Sequence, residues 1–320
     1  MTVLVTGANG FVGGAVVACL ARDSTTRVRA AVRRSSVTAA MTGDVVPVDE
    51  LDMNTDWRQA VQGCHTVVHA AARVHMMQDG GRDSLTLYRA VNVGGTLALA
   101  RQAAAAGARR FVFLSSIKVN GESTSARRPF RADDAPAPVD PYGVSKAEAE
   151  DGLRTLGLSL GLEVVIIRPV LVYGPGVKAN FDAMLRWVQR GVPLPFALVR
   201  NCRSLVALDN LVDLVRCVIT HPAAQGQTFL VSDGDDVSTA ELLRRCARAM
   251  DTKARLLPVP LALLRTGARL LGRGAAAQRL LGDLQVDISP TRERLGWTPV
   301  VTMPDALRQT AMALRARRRP

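Results

Sequence analysis

Aromatic side chains are scarce in this chain: three Trp, three Tyr and seven Phe make up 4% of its 320 residues. Valine, leucine and alanine must therefore fill any core, and an apolar content of 48% suffices for a globular protein. Lysine is scarce too. Only Lys118, Lys146, Lys178 and Lys253 occur, so arginine carries most of the net charge of +13. Dispersed arginine of this kind reads as a solvated basic surface with no nucleic-acid partner, and an anionic small molecule is a natural ligand for it. The histidines (His65, His69, His75, His221) have no metal-ligand spacing, and the five cysteines are odd in number with no CxxC pair. These patterns argue against a disulfide framework and against a zinc site, and no metal is expected. No apolar run is long enough to span a bilayer, and Met1–Val5 enter a strand pattern without a cationic leader. The expectation is a cytoplasmic protein in a reducing compartment, without stable membrane insertion.

What the chain does have is alternation. Continuous apolar, β-branched runs at Thr2–Thr6, Val28–Val32, Val45–Val48, Thr66–His69, Phe111–Leu114 and Val164–Ile167 are separated by helical patterns, among them Phe11–Ala21 and an alanine-rich Leu85–Ala106. Strands of this kind are buried on both faces of a parallel sheet. Beyond Arg168 the pattern loosens. A Gly174-Pro175-Gly176 loop precedes helices predicted at Asn180–Arg190, Leu211–Thr220 and Thr239–Met250, and a short strand at Leu205–Leu208. The tail Arg315–Pro320 is basic and expected to fray.

Between the first strand and first helix lies Gly7-Ala8-Asn9-Gly10-Phe11-Val12-Gly13, a GxxGxxG turn. Gly7 permits the tight turn, Gly10 lets backbone approach a pyrophosphate, and Gly13 allows close helix–strand packing. The helix end supplies N–H groups and a positive dipole to phosphates. A dinucleotide is the expected ligand. The second strand ends Val32-Arg33-Arg34 without an acid, so Arg33 favours NADPH over NADH through its 2′-phosphate. The predicted class is α/β: a Rossmann-type doubly wound parallel sheet with a smaller C-terminal lobe. Residues 1–170 form the dinucleotide-binding domain, whose sheet later segments partly complete, and residues 171–320 are mainly the substrate-binding lobe.

Asp140-Pro141-Tyr142-Gly143-Val144-Ser145-Lys146 opens a helix, with Asp140 at the N-cap and Pro141 in the first turn. Tyr142 and Lys146 are four apart and share a face. A free phenol, with a pKa of about 10, is a poor acid or base near neutrality. A neighbouring ammonium favours the phenolate and is expected to lower that value. A serine pair, Ser115-Ser116, ends the strand beside this helix and offers a hydroxyl to orient a reacting oxygen.

These segments resemble the extended short-chain dehydrogenase/reductases of the nucleotide-sugar epimerase/dehydratase group. The resemblance rests on TGANGFVGG at the N-terminus, HAAA (69–72), NVGGT (92–96), LSSIKVNGE (114–122), PYGVSK (141–146) and RPVLVYGPG (168–176). It implies a catalytic set of Ser116, Tyr142 and Lys146. It implies cofactor contacts from Gly7, Asn9, Gly10, Phe11, Val12 and Gly13, from Ala70, Ala71 and Ala72, and from Tyr142, Lys146 and Pro169. Asn180 and Arg203 look like the residues that hold a nucleotide diphosphate beside Ser116, while Asp209 and Asp213 cap or orient structure. Dehydratases of the group carry an Asp-Glu pair after the catalytic hydroxyl. Ile117-Lys118 stand here, which disfavours dehydration. Leu171 replaces an Asn common among the epimerases.

The expected reaction is NAD(P)H-dependent reduction of a 4-keto sugar nucleotide of the UDP-4-keto-6-deoxy-N-acetylhexosamine type, with Tyr142 as proton donor. The alternative is a UDP-N-acetylhexosamine or UDP-hexose 4-epimerase using the same triad and bound NAD. A non-sugar ketone reductase and a non-catalytic dinucleotide sensor are minor alternatives. The resemblance also implies a homodimer, pairing helices Leu85–Ala106 and Tyr142–Leu160 with their copies. The stretch Leu256–Leu284 mixes leucines with Arg265, Arg269, Arg273 and Arg279. It is expected to be a lid whose leucines cover the sugar site, rather than an interfacial helix.

Overall fold

The computed structural model describes residues 1–38, 43–74, 84–124, 128–272 and 274–316. The strands are Thr2–Thr6 (β1), Arg27–Arg33 (β2), Asp44–Val48 (β3), Thr66–His69 (β4), Arg110–Leu114 (β5), Glu163–Pro169 (β6), Leu171–Tyr173 (β7), Leu205–Ala207 (β8) and Thr228–Val231 (β9). The helices are Phe11–Leu20 (α1), Arg58–Val61 (α2), Ser84–Tyr88 (α3), Thr96–Ala105 (α4), Pro141–Leu160 (α5), Ala179–Gln189 (α6), Leu208–Thr220 (α7), Thr239–Ala249 (α8), Leu261–Leu270 (α9), Gly274–Leu281 (α10), Ser289–Leu295 (α11) and Met303–Ala316 (α12).

Seven strands form one parallel sheet in the order β3-β2-β1-β4-β5-β6-β9. The apolar runs alternate between its two faces. Val3, Val5, Val68, Val112, Val165 and Ile167 meet α1 and α7 through Val16, Leu211, Leu214 and Val218. Leu4, Val67, Phe111, Phe113 and Ile166 meet Leu99, Ala103, Ala149 and Leu153 from α4 and α5. The strand order reverses between β1 and β4. In doubly wound sheets the crevice beyond the carboxyl ends at such a reversal holds the ligand. A third core, built on Tyr173, Phe181, Leu185, Leu205, Leu243, Leu307 and Leu314, belongs to the lobe. There β7 and β8 pair in parallel.

Two expectations change, and two strands are new. The helix predicted over Leu85–Ala106 is three pieces, because a π-helical stretch, Arg89–Gly95, separates α3 from α4. Two glycines meet residues 51–53 here; a Cβ on Gly95 would lie 2.8 Å from Leu51 Cγ. Wide turns of this kind are frequent at functional sites. Strands β7 and β9 are three and four residues long, too short to show a period in the sequence. The leucines of Leu261–Leu271 do not cover a site. Helix α9 has no buried residue, and Leu263, Leu270 and Leu271 are 64%, 82% and 75% exposed. The inward side of α9 carries only the half-buried Leu261, Leu264, Gly267 and Ala268, and its main packing partner is α10. Residue 273 and the last four residues of the predicted tail lie outside the described residues.

Candidate active site

The glycine turn sits at the strand-order reversal. Gly7 has φ +63°, and a Cβ there would stand 2.9 Å from the backbone nitrogen of Ala71, just beyond β4. A Cβ on Gly13 would lie 2.2 Å from the Gly7 carbonyl. Larger residues would therefore force α1 away from β1 or close the gap to β4. Gly10 donates its N–H to the Gly7 carbonyl at 2.8 Å and caps α1 without any side-chain cap. Asn9 and Gly10 are exposed, and Phe11 and Val12 half-buried. A side-chain-free cradle at an uncapped helix end fits the phosphates of a dinucleotide. Half-buried Ala70, Ala71 and Ala72 leave β4 alongside it, and the Ala71 N–H donates to Thr6 Oγ1 at 3.2 Å. Arg33 is exposed at the carboxyl end of β2, the next strand. Arg34 is held by Asp49 at 3.0 Å, whereas Arg33 forms no ion pair among the described residues.

On the other side of the crevice the two serines divide their work. Ser115 is buried and donates to Glu150 Oε1 at 2.5 Å. Ser116, half-buried, caps a short turn, accepting the Lys118 N–H at 3.3 Å. Asp140 caps α5 by accepting the Gly143 N–H at 2.7 Å, and Pro141 occupies the first turn. This sets Tyr142 and Lys146 one turn apart. Lys146 Nζ donates to the Leu114 carbonyl at 2.8 Å and stands 4.3 Å from the Phe113 ring and 6.0 Å from the Tyr142 ring. Burial pulls the Lys146 ammonium down to about 7, with Glu150 opposing.

The expected lowering of the Tyr142 phenol is not what the protein alone produces. Burial pushes it above its usual value, and Asp140 and Tyr88 add to the push. The ring keeps part of its surface exposed, so water screens some of that effect. Tyr88 meets Tyr142 edge-on at 6.1 Å.

Four supporting groups escaped sequence reasoning. Glu150, one turn beyond Lys146, accepts from Arg168 Nη2 at 2.6 Å, and Arg168 Nη1 donates to Asn120 Oδ1 at 2.9 Å. This buried network locks the ends of β5 and β6 to α5. Asn92, in the π-helical stretch, donates to Ser145 Oγ at 3.0 Å and accepts the Arg73 N–H at 2.8 Å. His69 bridges Thr6 Oγ1 (2.7 Å) and Thr96 Oγ1 (2.9 Å). Burial, with Lys146 adding, drops His69 to about 3, so the ring is neutral. Lys118 pairs with Asp140 and with Glu122 (3.1 Å), and lies 6.0 Å from the Tyr142 ring. The segments HAAA, NVGGT, LSSIKVNGE and RPVLVYGPG contain His69, Asn92, Lys118, Asn120 and Arg168, and Glu150 continues the four-residue spacing of Tyr142 and Lys146, but these patterns gave the side chains no supporting role.

Pro169 ends β6 on the same edge of the sheet. Asn180 and Arg203 lie in the lobe. Asn180 is exposed at the start of α6, and half-buried Arg203 donates to the Gly282 carbonyl at 3.1 Å. No hydrogen bond joins the two among the described residues. Burial lowers the Arg203 guanidinium from its usual value. Asp213 orients structure, accepting the Trp297 indole N–H at 2.9 Å. A cleft of about 570 Å³ lined by Arg128, Arg131, Asp236, Asp287 and Arg292 includes none of the predicted site residues.

Residues 3–232 match the model of the NAD dependent epimerase/dehydratase family. The chain is 48% identical over 313 residues to a UDP-glucose 4-epimerase of Vibrio cholerae, covering 98% of this chain and 95% of that one. Among solved structures it resembles UDP-glucuronic acid 4-epimerase from Bacillus cereus in complex with NAD, with TM-score 0.79, 19% identity and 100% of both chains covered. It also resembles RMD from Pseudomonas aeruginosa complexed with NADPH, with TM-score 0.74, 20% identity and 98% and 99% of the two chains covered. At these identities the two structures speak to the fold.

Proposed function

The chain belongs to the NAD dependent epimerase/dehydratase family, the extended short-chain dehydrogenase/reductases, and on that premise we propose that it is a nucleotide-sugar 4-epimerase acting on a UDP-linked hexose or N-acetylhexosamine. The observation that carries this reading is the 48% identity, along nearly the whole of both chains, to a UDP-glucose 4-epimerase. It displaces 4-keto reduction, which shares the same triad, as the leading reaction.

Gly7, Gly10, Gly13 and the first turn of α1 would hold the dinucleotide phosphates. A bound nicotinamide would supply the hydride acceptor and donor for the exchange. Tyr142 takes the proton of the sugar 4-hydroxyl and later returns it. Ser116, whose hydroxyl lies at the end of β5, donates to the reacting oxygen and fixes its direction. Lys146 and Lys118 both stand 6.0 Å from the phenol ring, and their positive charge opposes the burial that keeps Tyr142 protonated. Asn92 and the Glu150–Arg168 pair keep α5 in register with β5. Arg203 and Asn180 would face the diphosphate.

Incubation with UDP-glucose, UDP-N-acetylglucosamine and a UDP-4-keto-6-deoxy sugar, each with NAD or NADPH, tests this. Interconversion of the 4-epimers without net cofactor consumption is the expected result. Stoichiometric oxidation of NADPH by the keto sugar, without epimerisation, would restore the reductase reading. Arg33, exposed and without an ion pair among the described residues, is the observation that favours that second reading.

A further inference from the structure

Helices α9 and α10 form a hairpin that stands on the lobe rather than in it. Its base is anchored twice. Leu194 bonds the carbonyl of Arg255 and the N–H of Leu257, both at 2.8 Å. Asn201 Nδ2 donates to the Gly282 carbonyl at 2.9 Å, and Thr239 Oγ1 to the Leu280 carbonyl at 2.6 Å. Between these anchors Leu263, Leu270 and Leu271 project into solvent, and Leu257 and Leu280 are also exposed. At 100° per residue Leu263 and Leu270 share one side of α9, Arg265 and Arg269 the other, and Leu261, Leu264 and Ala268 face inward. The sequence has no Asp or Glu between Asp251 and Asp283. Arg265 and Arg269 are exposed and form no ion pair among the described residues.

We infer that the α9–α10 hairpin docks the protein on the surface of an anionic lipid bilayer, leucines in the acyl boundary and arginines among the headgroups. Leucine on one side and arginine on the other, without acids, is the composition that lies in such an interface. Long arginine side chains reach headgroups while their stems stay apolar. A second copy of the chain fits this face poorly. A two-fold contact through this face would gather arginines of both copies with no carboxylate from residues 252–282 to offset them. A protein partner's interface core is rich in aromatic residues, and this face has none. The hairpin's base lies beside Arg203, so docking would hold the lobe's diphosphate-facing side near the membrane. Vesicle binding is read without turnover, so the inference stands or falls apart from the proposed activity.

The experiment is co-sedimentation of the full chain with vesicles of phosphatidylcholine alone and of equimolar phosphatidylcholine and phosphatidylglycerol. Binding is expected to the anionic vesicles only, and to weaken with added salt. Leu270→Gln with Leu271→Gln should reduce it about tenfold or more, since leucine burial is lost. Arg265→Gln and Arg269→Gln should each reduce it about fivefold. All these positions are exposed, so folding and activity on a soluble sugar nucleotide should be unchanged. Failure of the unaltered chain to pellet with anionic vesicles would overturn the inference. So would unchanged pelleting of the leucine variant, which would put the binding surface elsewhere. A fall in solution mass on Leu270→Gln would assign the face to a second copy instead.

Discussion

Tyr142 stands between opposing influences. Burial and Asp140 hold its proton, while the ammonium groups of Lys146 and Lys118 favour releasing it. Replacing the phenol removes the proton path but little of the dinucleotide surface. Tyr142→Phe should lower turnover about a hundredfold or more, the usual scale of general acid–base help, and leave cofactor binding intact by fluorescence titration. Near-normal turnover would show that another group carries the proton. Lys118→Met removes one of the two cations, so the acidic limb of the kcat/KM pH profile should move to higher pH, and Lys118→Arg should restore it. An unmoved limb would leave Lys118 as a strut of the Asp140 cap alone. Arg33 is testable in the same way. Arg33→Asp should weaken NADPH far more than NADH in a binding titration, because a carboxylate would then face the 2′-phosphate. Equal losses would show that the side chain does not read that position.

The elements show why some of this was legible before the fold was seen. The GxxGxxG turn is a local device: its constraints act between neighbours, so it could be read from spacing. So could Asp140-Pro141, the spacing of Tyr142 and Lys146, and strands long enough to show continuous apolar runs. What could not be read depends on partners far apart in the chain. Glu150 and Arg168 are ordinary charged residues in sequence, and only the parallel pairing of β5 with β6 brings them together with Asn120. The π-helical turn hid inside an alanine-rich pattern, and the close approach of its Gly95 to Leu51 is a tertiary contact that no local pattern displays. His69 belongs to the same group. It joins β1, β4 and α4 only as a neutral ring. Above about pH 6.5, its ordinary value, the folded and unfolded chains are both neutral there and the contribution is complete. As pH falls from that value towards about 3, the unfolded chain takes a proton that the folded chain refuses. Stability should therefore fall by up to about 1.4 kcal/mol per pH unit through this window. Urea midpoints at pH 7 and pH 5 measure the loss, and His69→Gln should flatten it. An identical slope in the variant would place the titration elsewhere.

For the whole molecule, α4 and α5 pack side by side on one face of the sheet and offer Arg101, Asp151, Thr155 and the strongly exposed Leu158 outward. A homodimer through this face is the expectation, and light scattering at micromolar concentration should give twice the chain mass. Leu158→Glu should shift it to the single-chain value. A monomeric mass for the unaltered protein would leave Leu158 exposed without a partner.

The path of the chain between sheet and lobe has a further consequence, for how such proteins can be recombined. After β6 the chain enters the lobe through β7, α6 and β8, and α7 then packs on α1 and β9 completes the sheet. It returns to the lobe with α8, comes back to β9 with α11, and ends in the lobe with α12. The lobe is thus not a detachable cassette. A chimera with a single crossover near residue 170 would also import the donor's α7, β9 and α11, and with them half of one sheet face. Grafting a new sugar pocket onto this scaffold needs several crossovers, or substitutions made one side chain at a time within the lobe.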